Sequence, residues 1–416
     1  QINTSVGDLK YNYKKIIGNY ELSLSKGADL VIFPELTITG YPPRDLLLDK
    51  AFIDWNLYYS KKISRHSTKP IIFGFVDRKR DQIYNSLAIC YNGKMFGSYN
   101  KKLLPNYDIF DEKRYFESGK KSGVFKINYD DLDLTVGLQI CEDLWDDGYE
   151  AKISEHQKKN GAEIIINCSA SPFTTSKLYK RVDLIKKKAT ALNLPIIYCN
   201  QVGAQDEIIF DGNSLIFSKH GDLICQGRSF SECNIITEMY TQSTIKLNIQ
   251  SKEEKIFNAL CLGISDYFVK TGNKEAVLGL SGGIDSALTA AIAVNAIGSE
   301  NVHGVLMPSK FSSKHSIEDA IALAKNLEMH YEIIPIQNSV DSIISSLSKR
   351  FNGKKVDKTE ENIQSRIRGN ILMSLANKFN WLLLTTGNKT ELALGYCTIY
   401  GDMNGSLGVI SDLNKL

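Results

Sequence analysis

The run Gly279-Leu280-Ser281-Gly282-Gly283-Ile284-Asp285-Ser286-Ala287 constrains this chain more than any other segment. It follows a short apolar strand, Ala276-Val277-Leu278, and opens a helix carrying Leu288, Ala290, Ile292 and Ala293. Adjacent glycines let backbone N–H groups close in on an anion, and the helix start adds partial positive charge at the same point. The loop therefore reads as a phosphate cradle. It lacks the Gly-Lys-Ser/Thr ending of a Walker A loop.

At 416 residues the chain is too long for one ordinary core, so two domains are expected. Fifty Lys+Arg against 47 Asp+Glu leave +3, a balance that argues against a dedicated nucleic-acid or anionic-membrane surface. No apolar run approaches the ~18 residues needed to cross a bilayer, and no secretory signal stands at the start. The eight cysteines contain no Cys-x-x-Cys pair and sit mostly in apolar, strand-like context, as buried thiols of a reducing cytosol would. A cytoplasmic protein is expected. The chain opens on Gln1 inside what reads as a strand and closes on Leu416 just past a loop, so both ends read as trimmed.

Strands and helices alternate in the first part. Segments 29–33, 70–76, 85–91, 134–140, 163–168, 195–199 and 214–217 read as short buried strands. Amphipathic stretches lie between them, one with Ile16, Ile17, Tyr20 and Leu24 at helical spacing and another over 177–192. From 226 to 251 polar residues dominate, which reads as a linker; a helix with Ile256, Leu260, Ile264 and Tyr267 on one stripe follows. Strands return at 275–279, 302–307, 331–336 and 381–386. The pattern predicts an α/β protein of two domains, 1–245 and 246–416, with parallel sheet covered on both faces.

Three strand-end motifs in the first half offer a carboxylate, an ammonium and a thiol: Phe33-Pro34-Glu35-Leu36, Tyr99-Asn100-Lys101-Lys102-Leu103-Leu104-Pro105 and Gln139-Ile140-Cys141-Glu142-Asp143. Ligand sites of open α/β sheets collect at such carboxyl ends. Together the set suffices for amide hydrolysis. Glu35 can take the Cys141 proton and return it to the departing amine, a lysine can stabilise the oxyanion, and Cys141 can carry the acyl group as a thioester. Taken singly, each residue reads more simply: the cysteine as a buried structural thiol, Glu35 as a loop charge, and Lys101 beside Lys102 as a solvated face.

The second half adds Asn362, Arg366 and Arg368 on one helix, then Thr385-Thr386-Gly387-Asn388-Lys389-Thr390-Glu391 leaving a buried strand. Asp285 and Glu391 are placed for Mg²⁺, which prefers carboxylates plus phosphate oxygens, and Thr386 can bond a nucleotide.

These motifs carry family resemblances. The glycine loop resembles the pyrophosphate loop of the ATP pyrophosphatases, which transfer AMP to a carboxylate or carbonyl oxygen. The three motifs of the first half, in that order, resemble the nitrilase (carbon–nitrogen hydrolase) superfamily. The lysine there precedes a Leu-Pro-like pair by three positions, which selects Lys101. The combination, with LPNYDIFDEKRYF at 104–116, SPFTTSK at 171–177 and TTGNKTELALGYCTIYGDMNG at 385–405, resembles the glutamine-dependent NAD synthetases along nearly the whole chain. The resemblance implies a nitrilase-like αββα sandwich followed by a Rossmann-like adenine nucleotide α-hydrolase domain with a parallel sheet. It implies glutamine, ATP and deamido-NAD as substrates, Mg²⁺ as cofactor and a homo-oligomer, with neither nucleic acid nor membrane as partner.

By the same resemblance Glu35, Lys101 and Cys141 are catalytic, and Tyr107, Ser171 and Lys177 hold glutamine. Gly279, Leu280, Ser281, Gly282, Gly283, Ile284, Asp285, Ser286 and Thr386 contact ATP, while Asn362, Arg366 and Glu391 contact deamido-NAD. Asp285 and Glu391 bind the metal. Family members continue past Leu416, so the second domain is expected to be incomplete at its C-terminus. The alternative is a nitrilase-type glutaminase whose synthetase half is inactive through truncation. Ile399 and Ser406 depart from the lysine and aspartate of the ammonia-dependent relatives, and those roles do not carry over.

Overall fold

The computed structural model describes residues 1–238, 240–241 and 243–415. The chain divides into two compact units, Gln1–Lys255 and Ile256–Leu416.

The first unit contains strands β1 (Val31–Ile32), β2 (Ile71–Lys79), β3 (Gln82–Tyr91), β4 (Lys94–Asn100), β5 (Val124–Tyr129), β6 (Leu132–Ile140), β7 (Ile164–Ser169), β8 (Ile196–Asn200), β9 (Val202–Gln205), β10 (Ile208–Asp211), β11 (Leu215–Phe217) and β12 (Leu223–Gln226). Its helices are α1 (Leu9–Ser25), α2 (Lys50–His66), α3 (Ile153–Lys159) and α4 (Lys177–Leu192). One sheet has the order β1-β2-β3-β4 and the other β12-β11-β8-β7-β6-β5.

Strand alternation explains how they stack. In β2, Ile71, Phe73 and Phe75 pack with Ile16 and Tyr20 of α1 and Phe52, Ile53 and Ile63 of α2. Ile72 turns the other way, into a cluster with Leu134, Val136, Leu138 and Ile140 of β6 and Ile164 and Ile166 of β7. Ile165 of β7 points to the far face, against Leu184, Ile185 and Ala189 of α4. Four layers result, helix–sheet–sheet–helix, with apolar side chains on both faces of each sheet. Runs such as Ile71–Val76 are continuously apolar for this reason.

The sheets of this unit are mixed, not purely parallel. β1–β2 and β6–β7–β8 pair in parallel, whereas β2–β3–β4, β5–β6 and β8–β11–β12 are antiparallel. The loops within β2–β3–β4, β5–β6 and β11–β12 are too short for a helical crossover, which forces the antiparallel choice there.

The segment read as a linker is fastened down. Gln1 Nε2 donates to Arg228 O at 2.6 Å and Ser231 O at 2.7 Å, and Gln226 and Asn248 exchange bonds at 2.8 and 3.0 Å. Met239 and Gln242 of that segment lie outside the described residues.

The second unit holds β13 (Ala276–Gly279), β14 (Val302–Leu306), β15 (His330–Ile333), β16 (Leu382–Thr385) and β17 (Leu407–Gly408). Its helices are α5 (Lys252–Thr271), which begins at the end of the first unit, α6 (Ile284–Ile297), α7 (Lys314–Asn326), α8 (Gln337–Phe351), α9 (Lys358–Phe379) and α10 (Lys389–Leu394). All pairings are parallel, in the order β15-β14-β13-β16-β17. Ala276 and Leu278 pack on α5, α6 and α7, while Val277, Val305 and Leu383 pack on α8 and α9. The strand order reverses direction between β13 and β16, so a crevice opens beyond their carboxyl ends.

Candidate active sites

In the first unit the carboxyl ends of the strands bring together the residues marked in the sequence. Glu35 sits in the turn after β1, with Leu36 next to it at φ 44°. That turn lies so close to β2 that a Cβ on Gly74 would stand 2.6 Å from the Glu35 carbonyl carbon, so only glycine fits beneath it. Lys101 follows β4. Both side chains are sealed from solvent, at 0% and 1% exposure.

Lys101 Nζ donates to Glu35 Oε1 at 2.7 Å and to Glu112 Oε1 at 2.8 Å. Asn85 Nδ2 also donates to Glu35 Oε1, at 2.7 Å, and the Ala170 N–H donates to Oε2 at 2.9 Å. Burial alone would lower Lys101, but Glu112 and Glu35 outweigh it and hold the ammonium well above the usual lysine range. One ammonium cannot balance two buried carboxylates. Burial pushes Glu112 up to about 7, with Lys101 opposing the rise and Glu35 adding to it.

Cys141 directly follows β6, at φ 43°, where it opens a short 3₁₀ turn to Leu144. A non-glycine residue in that region is strained, and such strain collects at functional turns. Its carbonyl accepts from Asn167 Nδ2 at 3.3 Å. Burial, reinforced by the Glu35 charge and opposed by Lys101, pushes the thiol far above its ordinary value. The sulfur therefore lies within electrostatic reach of both partners and stays protonated at rest, which calls for a base in the reaction.

Asp143 couples the two turns. Its Oδ1 accepts from the N–H groups of Lys102 at 3.1 Å and Leu103 at 2.9 Å, and its Oδ2 accepts from Tyr99 Oη at 2.8 Å and Ile140 N at 3.0 Å. Burial pushes this carboxyl up to about 6 against those bonds.

Two of the residues expected to hold glutamine, Tyr107 and Lys177, lie against the same turn. Tyr107 Oη donates to both Glu142 oxygens at 3.0 Å, and Tyr149 Oη donates to Glu142 Oε1 at 2.8 Å. Lys177, the first residue of α4, lies 4.5 Å from the Trp145 ring centre. Burial lowers its amine below the usual range, while the Cys141 sulfur and Glu142 act in the opposite sense. Ser171 is buried, its N–H donating to Asn200 Oδ1 at 2.9 Å. The sequence reading overlooked Glu112, Glu142 and Asp143. Glu112 lies inside the conspicuous 104–116 segment, but only the folded loop returns it to Lys101.

In the second unit the glycine loop leaves β13 at the strand-order reversal. Gly282 has φ 80°, and a Cβ there would stand 2.8 Å from backbone atoms of Ser316 in α7. Leu280 is buried beneath the loop, whereas Ile284 is exposed. Ser281 and Ser286 hydroxyls lie 3.1 Å apart, Ser281 Oγ accepts from the Gly283 N–H at 3.2 Å, and Ser286 Oγ donates to Gly283 O at 2.9 Å. Gly283 caps α6, which puts Asp285 in its first turn. Thr386 stands just past β16, the strand beside β13.

Asp285 and Glu391 come together although 106 positions separate them in the chain. Asn388 joins them: Nδ2 donates to Asp285 Oδ1 at 3.2 Å, and Oδ1 accepts from the Glu391 N–H at 3.0 Å in the cap of α10. Lys415 Nζ lies between the carboxylates, 2.9 Å from Asp285 Oδ2 and 3.2 Å from Glu391 Oε1. A cation thus already occupies the gap, and the donor set of two carboxylates suits Mg²⁺, which completes its shell with phosphate oxygens and water. Among the described residues no group of three or more His, Cys, Asp or Glu forms a self-sufficient metal cage.

Asn362 and Arg366, one turn apart on α9, both engage the segment after α10. Asn362 Oδ1 accepts from Thr398 Oγ1 at 2.9 Å, and Arg366 Nε donates to Ile399 O at 3.3 Å. Glu391 instead caps α10 with Asn388.

Comparison with known proteins follows this division. The carbon-nitrogen hydrolase family model matches residues 1–247 and the NAD synthase model residues 256–416. The glutamine-dependent NAD(+) synthetase of Thermotoga maritima is 41% identical over 456 aligned positions, covering 100% of this chain and 78% of the relative. The Synechocystis sp. enzyme of the same name is 42% identical over 439 positions, with the same coverage. Among solved structures, the glutamine-dependent NAD+ synthetase of Acinetobacter baumannii in complex with ADP superposes with a TM-score of 0.94 at 37% identity, covering 100% of this chain and 78% of that one. Matches across both halves do not favour a glutaminase acting alone. By full-chain identity, by both family models and by fold, the chain belongs to the glutamine-dependent NAD(+) synthetase family.

Proposed function

We propose that the chain makes NAD from deamido-NAD with nitrogen that it takes from glutamine. The buried Glu35–Lys101 pair, electrostatically joined to the Cys141 thiol, carries the reading. Glu35 removes the thiol proton as Sγ attacks the glutamine carboxamide carbon, and Lys101 stabilises the tetrahedral oxyanion. Glu35 then gives its proton to the amide nitrogen, the C–N bond breaks and ammonia leaves. Water, deprotonated by Glu35, attacks the thioester; glutamate departs and the thiol re-forms. Tyr107, Ser171 and Lys177 orient the substrate.

In the second unit the deamido-NAD carboxylate attacks the α-phosphorus of ATP and pyrophosphate leaves. Ammonia then displaces AMP at the resulting acyl carbon. The loop 279–286 and Thr386 bind the nucleotide; Asn362, Arg366 and Glu391 bind the dinucleotide. Asp285 and Glu391 would hold Mg²⁺, which neutralises phosphate charge. Opening the Lys415 contact frees both carboxylates for that role.

Exposed Leu394, Tyr396, Ile399 and Tyr400 support a homo-oligomer, and measurement of solution mass tests it. Free thiols at all eight cysteines fit a reducing, cytoplasmic setting. Among the described residues no helix is long and apolar enough to cross a membrane.

The decisive experiment follows NAD, AMP and glutamate with either glutamine or ammonium chloride as nitrogen source. Cys141→Ala should abolish the glutamine-dependent reaction and spare the ammonium-dependent one. Equal loss with both sources would contradict the division of labour.

A further inference from the structure

Arg181 is the largest fully buried side chain among the described residues, at 0% exposure, and the chemistry above does not use it. Its Nη1 donates to Asp211 Oδ1 at 2.7 Å. Its Nη2 donates to Ser171 O at 2.8 Å, to Ser171 Oγ at 3.2 Å and to Pro172 O at 3.4 Å. Asp211 is itself held by Asn213 Nδ2 at 2.9 Å, so the ion pair has one geometry. Arg181 also lies one helical turn after Lys177 on α4, which places both cations on the same side of the helix.

A buried ion pair is costly to build and needs Asp211 alone to balance its charge. Here the second edge of the guanidinium is committed to a serine. Ser171 Oγ accepts an N–H from Arg181, which occupies a lone pair and leaves the hydroxyl proton to point elsewhere. Its backbone is fixed from the other side by Asn200. The hydroxyl is thus set as a donor, and Lys177 is the ammonium assigned with it above to orient glutamine. A donor beside a cation matches an anion and disfavours a second ammonium.

We propose that Arg181 is a positioning residue for substrate selectivity: it fixes Ser171 as a hydrogen-bond donor beside Lys177, so that the pair selects amides carrying a free carboxylate. This rests on the glutaminase reading of the first unit. The discriminating probe is 4-aminobutanamide, which is glutamine without its carboxylate. Arg181→Lys keeps a cation but cannot reach Asp211 and Ser171 from one planar group. Its kcat/KM for glutamine should fall about 10- to 100-fold, the range for a hydrogen bond to a charged group, chiefly through KM. Hydrolysis of 4-aminobutanamide should stay within about threefold of the parent.

Ser171→Ala should erase the same selectivity, and adding Arg181→Lys to it should cost less than about twofold more, because the two act through one contact. Equal losses on both amides, or full additivity of the two substitutions, would overturn the proposal. If Arg181→Lys does not fold, Ser171→Ala still decides: an unchanged ratio between the two amides refutes it. Hydrolysis of either amide by Cys141→Ala would instead defeat the glutaminase reading itself.

Discussion

Gly282→Ala isolates the phosphate cradle from everything else in the chain. The backbone there has φ 80°, a conformation that costs an alanine about 1–2 kcal/mol. The new methyl would stand 2.8 Å from two carbon positions of Ser316, Cα and the carbonyl carbon. Ordinary contacts begin near ~3.4 Å, and the Ser316 carbonyl oxygen lies closer to the new methyl than either carbon, so the loop and the start of α7 must part by roughly 1 Å; overpacking of this kind costs about 1–3 kcal/mol. The stiffer unfolded chain returns about 0.4–1 kcal/mol. The net expectation is a loss of about 2–3 kcal/mol, read as a fall of roughly 5–10 °C in the Tm of the second unit. Displacing the loop by that distance should also cut ammonium-dependent AMP formation about 100-fold. Glutamine hydrolysis by the first unit should not change. Stability within about 0.5 kcal/mol of the parent together with undiminished AMP formation would refute the argument that only glycine fits between β13 and α7.

Asp285→Ala should remove NAD synthesis from either nitrogen source and leave glutamine hydrolysis intact; unchanged synthesis would discredit the cation site. Asp143→Asn turns an amide N–H₂ toward donors that Asp143 now accepts from, and should destabilise the first unit by about 1–3 kcal/mol in urea titration while slowing glutamine hydrolysis. Burial raises Glu112 to about 7 and Asp143 to about 6, so the folded state holds their protons more tightly than the unfolded chain does. Their contribution to stability is complete below the unfolded values near ~4 and is lost as pH rises through about 6 to 7. Glu112→Gln should therefore flatten the decline in Tm over that window; an identical slope in the variant would contradict the assignment.

The sequence pattern by itself determined most strand positions and that the sheets are covered on both faces, because side chains on both faces of each sheet are buried. Runs such as Ile71–Val76 and Ile164–Ile166 are apolar regardless of what packs on them. The amphipathic spacing of 177–192 likewise matches α4. The glycine loop was legible because its conformation depends on backbone freedom, a local property. Glu35, Lys101 and Cys141 were legible as three motifs in order, though single side chains at strand ends carry no such message.

Tertiary structure decided the rest. Short hairpin connections made much of the first unit antiparallel, a consequence of chain length between strands that residue alternation does not encode. Glu112 became part of the buried charge cluster because a loop folds back on Lys101, and Asp143 because one carboxylate spans two turns. Asp285 and Glu391 face one another through Asn388 and Lys415, contacts between residues far apart in the chain. Charges become a site only when folding removes the water between them, and which charges meet depends on long-range packing that no local pattern records.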